Sequence, residues 1–232
     1  MRLLPLVFLV GCIDPVDPRW QLDHDHIVAV RATPPRVMPG ESAELDGLVA
    51  HDGAPTTIEI PAEAAVLDGP DILKDLVYTD AGRWYVYGPA DYALVIAREA
   101  LGLAADAPVP LDVYTAFGRE GEDALFAKKR VWLGASGTNP TLPRATVDGS
   151  PMADALVVPR GPDVYLSVAA GEGDRVSWLS SVGTLFQDDV ATSFLRVLPE
   201  DRTEGELAVV IRDAHGGVAW QVWPIRAESA QR

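Results

Sequence analysis

GELAVVIRDAHGGVAWQVWPIRAE, residues 205–228, is the stretch from which the rest of the chain is read. Two runs rich in Val, Ile and Trp flank the turn Asp213-Ala214-His215-Gly216-Gly217. β-branched and aromatic residues bounded by turn formers mark strands, and both glycines are free to take positive φ. The stretch predicts a β-hairpin.

The same signature recurs upstream. ADALVVPRG, DVYLSVAAGEG, DRVSWLSSVGTL and ATSFLRVLPE precede the hairpin, at intervals near the roughly 8–12 residues of a β-sandwich. GASGTNPTLPR, residues 134–144, is dense in Gly, Ser, Thr, Asn and Pro and reads as a linker. Before it, HIVAVRATPP, ESAELDGLVAHDG and PTTIEIPA alternate between turn signals, with Met38-Pro39-Gly40-Glu41 as one turn. RWYVYG places Trp84 and Val86 on one face and Tyr85 and Tyr87 on the other. VPLDVYTAFG and ALFAKKRVWLG form a hairpin around Arg119-Glu120-Gly121-Glu122. ADYALVIAREALGL departs from the pattern. Tyr92, Val95, Ile96, Glu99 and Ala100 stand at helical spacing and Gly102 is a stop, so a short helix is expected over residues 90–101.

Trp178 lies on the third strand of the second half, and a buried tryptophan there marks immunoglobulin-type sandwiches. GELAVVIRDAHGGVAW with its closing strand resembles bacterial Ig-like and PKD-like modules. Residues 12–228 as a whole resemble the two-module Ig-like lipoproteins of Gram-negative envelopes. The resemblance implies an all-β chain of two immunoglobulin-like β-sandwich domains in tandem, the first with a short helical insertion. The chain departs from antibody domains in lacking their disulfide, since Cys12 is its single cysteine.

That cysteine ends the opening MRLLPLVFLVGC. Arg2 supplies a positive start, and Leu3 to Val10 is an apolar run broken only by Pro5. The run is far short of the roughly 20 residues needed to span a bilayer and has the proportions of a signal-peptide core. Leu9-Val10-Gly11-Cys12 resembles the lipobox of bacterial lipoproteins, which implies cleavage before Cys12 and a diacylglycerol on its sulfur. Ile13 in place of aspartate implies, by the enterobacterial sorting pattern, the outer membrane, with the polypeptide in the periplasm or on the cell surface. The expected order is signal peptide 1–11, tether 12–24, sandwich 25–134, linker 135–142, sandwich 143–228 and tail 229–232. Trp20 is either a loose end or the first packed residue.

Composition is that of a folded protein, 48% hydrophobic and 23% charged. The net charge of −15, from 34 acidic and 19 basic residues, argues against nucleic-acid and anionic-lipid partners. Lys128-Lys129-Arg130 is the one dense basic cluster, and it reads as charge protecting an edge strand.

Chemistry-bearing constellations are sparse. His24 and His26, flanked by Asp23 and Asp25, lack a third ligand and read as solvated tether-end side chains rather than a metal site. His51 and His215 complete the histidines, and His215 decorates a turn. Asp188 and Asp189 with Asp174, and Asp46 with Asp52 and Asp80, suit calcium only if folding gathers them; ordinary loop solvation is expected. Ser180, Ser181 and Ser193 lack a nucleophile-elbow context, and Gly171-Glu172-Gly173 puts an acid where a phosphate loop needs bare amides. Trp84, Tyr85 and Tyr87, with Trp220 and Trp223, form two aromatic groups with some members facing outward, a candidate interaction surface. The sequence therefore predicts a non-enzymatic, lipid-anchored component of an envelope assembly with a protein partner. The alternative is a glycan- or surface-binding adhesion module. No cofactor beyond the lipid, no metal and no small-molecule substrate is expected.

Overall fold

Alternating runs in the first half become nine strands and one helix: β1 (His26–Thr33), β2 (Arg36–Val37), β3 (Ser42–His51), β4 (Ala54–Glu59), β5 (Glu63–Asp68), β6 (Val77–Asp80), β7 (Arg83–Tyr87), α1 (Asp91–Leu101), β8 (Val109–Phe117) and β9 (Leu125–Leu133). The second half adds β10 (Thr146–Val147), β11 (Ser150–Pro151), β12 (Leu156–Pro159), β13 (Asp163–Ser167), β14 (Arg175–Ser180), β15 (Thr184–Phe186), β16 (Thr192–Arg196), β17 (Glu204–Arg212) and β18 (Val218–Glu228). The computed structural model describes residues 18–51, 54–118, 123–141 and 144–228. Cys12 and the signal region, Asp52, the turn at 119–122 and the tail at 229–232 lie outside the described residues.

Each half is a pair of sheets closed over an apolar core. The first pair runs β1-β3-β7-β6, with β4 also on β3, against β2-β9-β8-β5. The second runs β11-β10-β13-β16-β15 against β12-β18-β17-β14. An immunoglobulin sandwich has its first, second, fifth and fourth strands in one sheet and its third, sixth and seventh in the other. Both halves carry that order: β1-β3-β7-β6 faces β5-β8-β9, and β10-β13-β16-β15 faces β14-β17-β18. In each, a short strand adds in parallel to the last, β2 on β9 and β12 on β18. Ala43, Leu45 and Val86 meet Leu111, Val113 and Leu133 in the first core. In the second, Trp178 is completely buried on β14, the third strand of that order, and its indole Nε1 donates to the Val190 carbonyl at 3.1 Å. The described residues are nearly all-β, with an immunoglobulin-like strand order, one short α-helix and a single 3-10 turn at Asp71–Leu73.

That helix presents the opposite face from the one its spacing suggests. Ala93, Leu94 and Ala97 are buried, whereas Tyr92, Val95 and Ile96 are 69%, 58% and 47% exposed. The small alanines let the helix lie close on the sandwich, and the larger side chains stand outward. Gly102 ends it in the left-handed region (φ +63°), its amide and that of Leu103 closing on Glu99 and Arg98 carbonyls, as in a Schellman turn. In the closing hairpin, Gly216 takes positive φ and Gly217 does not.

The two sheet pairs also bury a shared apolar cluster. Val28 and Ala29 of β1 and Leu48 and Ala50 of β3 pack against Leu179, Ala208, Val210 and Val218. The run Leu207-Ala208-Val209-Val210-Ile211 is buried without a break because both of its faces are covered. Leu207, Val209 and Ile211 enter the second core, while Ala208 and Val210 face the junction. The linker holds the two halves together rather than merely spanning them. Asn139 Nδ2 donates to the Ala32 carbonyl at 3.0 Å, and its Oδ1 accepts from the Val218 amide at 2.9 Å. Nor does the tether run free to residue 24. Leu22 is buried in the junction cluster, and Trp20 packs against the second core. The Leu22 amide donates to the Ser180 carbonyl, and the Ser180 amide to that of Trp20.

Candidate functional site: a cationic cleft at the junction

Strand parity builds this site. On β9, alternation puts Lys129 on the inward face with Val131 and Leu133, and leaves Lys128 and Arg130 outside. On β17, Arg212 follows Ala208 and Val210 on the face turned to the first half. The two cations arrive from opposite sides at an open cleft of about 650 Å³. Its walls are the edge strand β1, the basic stretch of β9 and the β17–β18 turn. The expectation that all three basic residues protect an edge fails at its middle member, which is only 6% exposed.

Lys129 Nζ donates to the Gly216 carbonyl at 2.5 Å. Arg212 donates to the Val28 carbonyl at 2.7 Å and to Ser177 Oγ at 3.3 Å. All of these acceptors are neutral. Burial, reinforced by the nearby Arg212 charge, pushes the Lys129 ammonium down to about 8, and burial also holds Arg212 below its usual range. Asp213 lines the cleft, but its Oδ1 caps its own turn, accepting from the His215 and Gly217 amides at 2.7 Å each. Arg175 stands exposed at the mouth. Lys128 and Arg130 reach the rim but pair with Asp112, whose carboxyl is held below its usual range by hydrogen bonds from Arg130 and then Lys128.

The aromatic candidates separate. Trp223 is a correction: at 3% exposure it belongs to the second core, beside Ile225 and Ala227, and offers no surface. Trp220 is half-buried at the junction with the Arg31 guanidinium 4.1 Å over its ring. Trp84 packs on the first core, as its alternation with Val86 requires. Tyr85 faces outward but stacks on Tyr78 at 5.4 Å. Tyr87 is exposed and lines a groove of about 480 Å³ with Ile72, Leu76, Pro89 and Tyr92 at the start of α1.

Polar candidates serve the scaffold. His26 is not a solvated tether side chain: it begins β1, stacks on His24 at 4.5 Å, and burial lowers its pKa. His51 is buried and bonds Glu59 at 2.6 Å. Ser180 Oγ donates to the Val182 carbonyl and Ser193 Oγ to that of Phe186, while Ser181 Oγ accepts from the Glu206 amide. Asp46 holds Arg31 through both oxygens, and Asp174 caps Gly171. Among the described residues no group of three or more His, Cys, Asp or Glu is placed to hold a metal ion, and no helix is long and apolar enough to cross a membrane.

No protein-family model and no curated protein matches the chain. Among solved structures it is similar to the N-terminal Ig1-2 module of the Drosophila receptor protein tyrosine phosphatase DLAR, at 12% identity over 88% of this chain and 99% of that one, with a TM-score of 0.31. Murine CEACAM1b gives 13% identity, 88% and 100% coverage and a TM-score of 0.30. Superpositions this loose leave the immunoglobulin-like assignment resting on the strand orders and on Trp178.

Proposed function

We propose that the chain is a lipid-anchored, non-enzymatic interaction protein of a bacterial envelope. It is built as two immunoglobulin-like sandwiches in tandem and held to the outer membrane by a diacylglycerol on Cys12. The observation that carries the interaction role is the outward face of α1: Tyr92, Val95 and Ile96 project from a helix already seated on its sandwich, beside the groove holding Tyr87. Apolar side chains gathered on one exposed helix face suit burial against a protein partner with an apolar surface of its own. The glycan alternative finds less support. Trp84, Trp220 and Trp223 all spend ring faces on internal packing, which leaves no exposed tryptophan among them for a sugar to stack on.

Two measurements test this reading. Intact-mass spectrometry of the native protein should show a mature chain beginning at Cys12 with acyl mass added; an unmodified thiol refutes the anchor. A photocrosslinking residue at Val95 in living cells should capture one adduct of defined mass, lost on Ile96→Asp. The same probe at Tyr165, exposed on the second half, should not give that adduct. Equal capture at both positions, or none at Val95, refutes the interaction surface.

A further inference from the structure

A buried lysine and a half-buried arginine, neither ion-paired, meet in this cleft in a chain whose net charge is −15. Buried charges are normally paired, because desolvating an unpaired one is costly. This protein has carboxylates in excess and pairs several of its arginines with them: Arg31 with Asp46, Arg130 with Asp112, Arg196 with Asp163. Lys129 and Arg212 have no such partner among the described residues. Asp213, a short way off, is turned into its own hairpin by two backbone amides.

We propose that the junction cleft binds an organic oxyanion, a carboxylate or phosphate on a small apolar body, between the Lys129 ammonium and the Arg212 guanidinium. The donors are available. An ammonium carries three N–H groups and a guanidinium five; Lys129 uses one on Gly216, and Arg212 reaches one carbonyl and one hydroxyl. The apolar body has a surface to meet in Ile27, Val30, Ala127 and Val218, which line the same space. Its volume of about 650 Å³ lies within the range of small-ligand sites. Arg175 at the mouth adds a positive charge that steers an anion inward past an otherwise acidic surface. An oxyanion between the two cations relieves their mutual repulsion and supplies the ion pair that neither makes. The site is separate from the outward face of α1, so either proposal can fail without the other.

The test is calorimetric titration of the soluble chain with 3-phenylpropionate, phenyl phosphate and, as an uncharged control, 3-phenylpropanamide. At least one of the two oxyanions should bind saturably at one site, and the difference between them identifies which oxyanion the cleft takes. The amide should not bind. Arg175→Glu, on an exposed residue, should weaken binding at least tenfold with the circular dichroism spectrum unchanged, and Lys129→Met should abolish it. If Lys129→Met fails to fold, Arg175→Glu decides alone. Absence of saturable binding by both oxyanions, equal binding of the amide, or unaltered affinity in Arg175→Glu overturns the proposal.

Discussion

Lys129→Met should make the protein more stable at neutral pH, and less so as pH rises. In the folded chain the ammonium titrates at about 8, against 10.5 when unhindered. Each pH unit of such a difference corresponds to about 1.4 kcal/mol, so holding the charge below pH 8 costs about 3 kcal/mol. The sign follows from proton counting. Between pH 8 and 10.5 the unfolded chain holds a proton that the folded chain has released. Wild-type stability therefore climbs through that window relative to a chain lacking the group, and the penalty is fully present below it. Methionine removes the charge and keeps the length, but leaves the Gly216 carbonyl without its donor, a loss of about 1–2 kcal/mol. The net expectation is a gain of about 1–2 kcal/mol at pH 7. Urea unfolding of both proteins at pH 7 and pH 10 reads this directly. The variant's advantage should fall by about 2–3 kcal/mol between the two, ending near zero or reversed. A variant less stable at pH 7, or a difference indifferent to pH, would refute the assignment of Lys129 as a cation whose burial outweighs the pull of Asp213 and Asp46.

Other positions give sharp expectations. Trp178→Ala empties the centre of the second core and removes the bond to Val190, so chemical denaturation should show a loss of about 3–5 kcal/mol. Asn139→Ala breaks its bonds to Ala32, Thr33 and Val218 and should cost about 1–3 kcal/mol, with hydrogen exchange rising at the Val218 amide. Asp112, held below its usual range by Arg130 and Lys128, lends stability that is present above its unfolded value near 3.8 and is lost as pH falls through the lower folded value. The stability advantage of wild type over Asp112→Asn should accordingly stay constant above about pH 5 and shrink below it.

Much of the fold was legible because it is local. The strands, the helix stopped by Gly102 and the turn at Asp213–Gly217 follow from side-chain period and from residues that break it. Trp178 was legible because the third strand of such a sandwich is where a buried indole sits. The junction was harder, although signals were present. LAVVI at 207–211 does not alternate, which marks a strand covered on both faces. Trp220 and Trp223 stand three apart, an odd spacing that puts them on opposite faces of a strand and forbids a single aromatic patch. Lys129 shares the parity of Val131 and Leu133, so the strand itself declared a lysine on its inward side. The face of α1 had no such signal. Its spacing fits two apolar stripes, and the sandwich takes the one with alanines because they let the helix come close.

The contact between residues 20–22 and Ser180 has a consequence for chain connectivity. The polypeptide touches the second half, passes into the first, and returns only after residue 134, so the halves are tied together twice. A chain cut near residue 142 would thus not fall into two pieces. The N-terminal fragment would keep Trp20 and Leu22 as a strap across the other fragment, and the junction cluster would hold the rest. The two pieces should co-purify as a nicked but assembled whole, and loss of the linker's covalent continuity should be survivable in a way that loss of Leu22 is not.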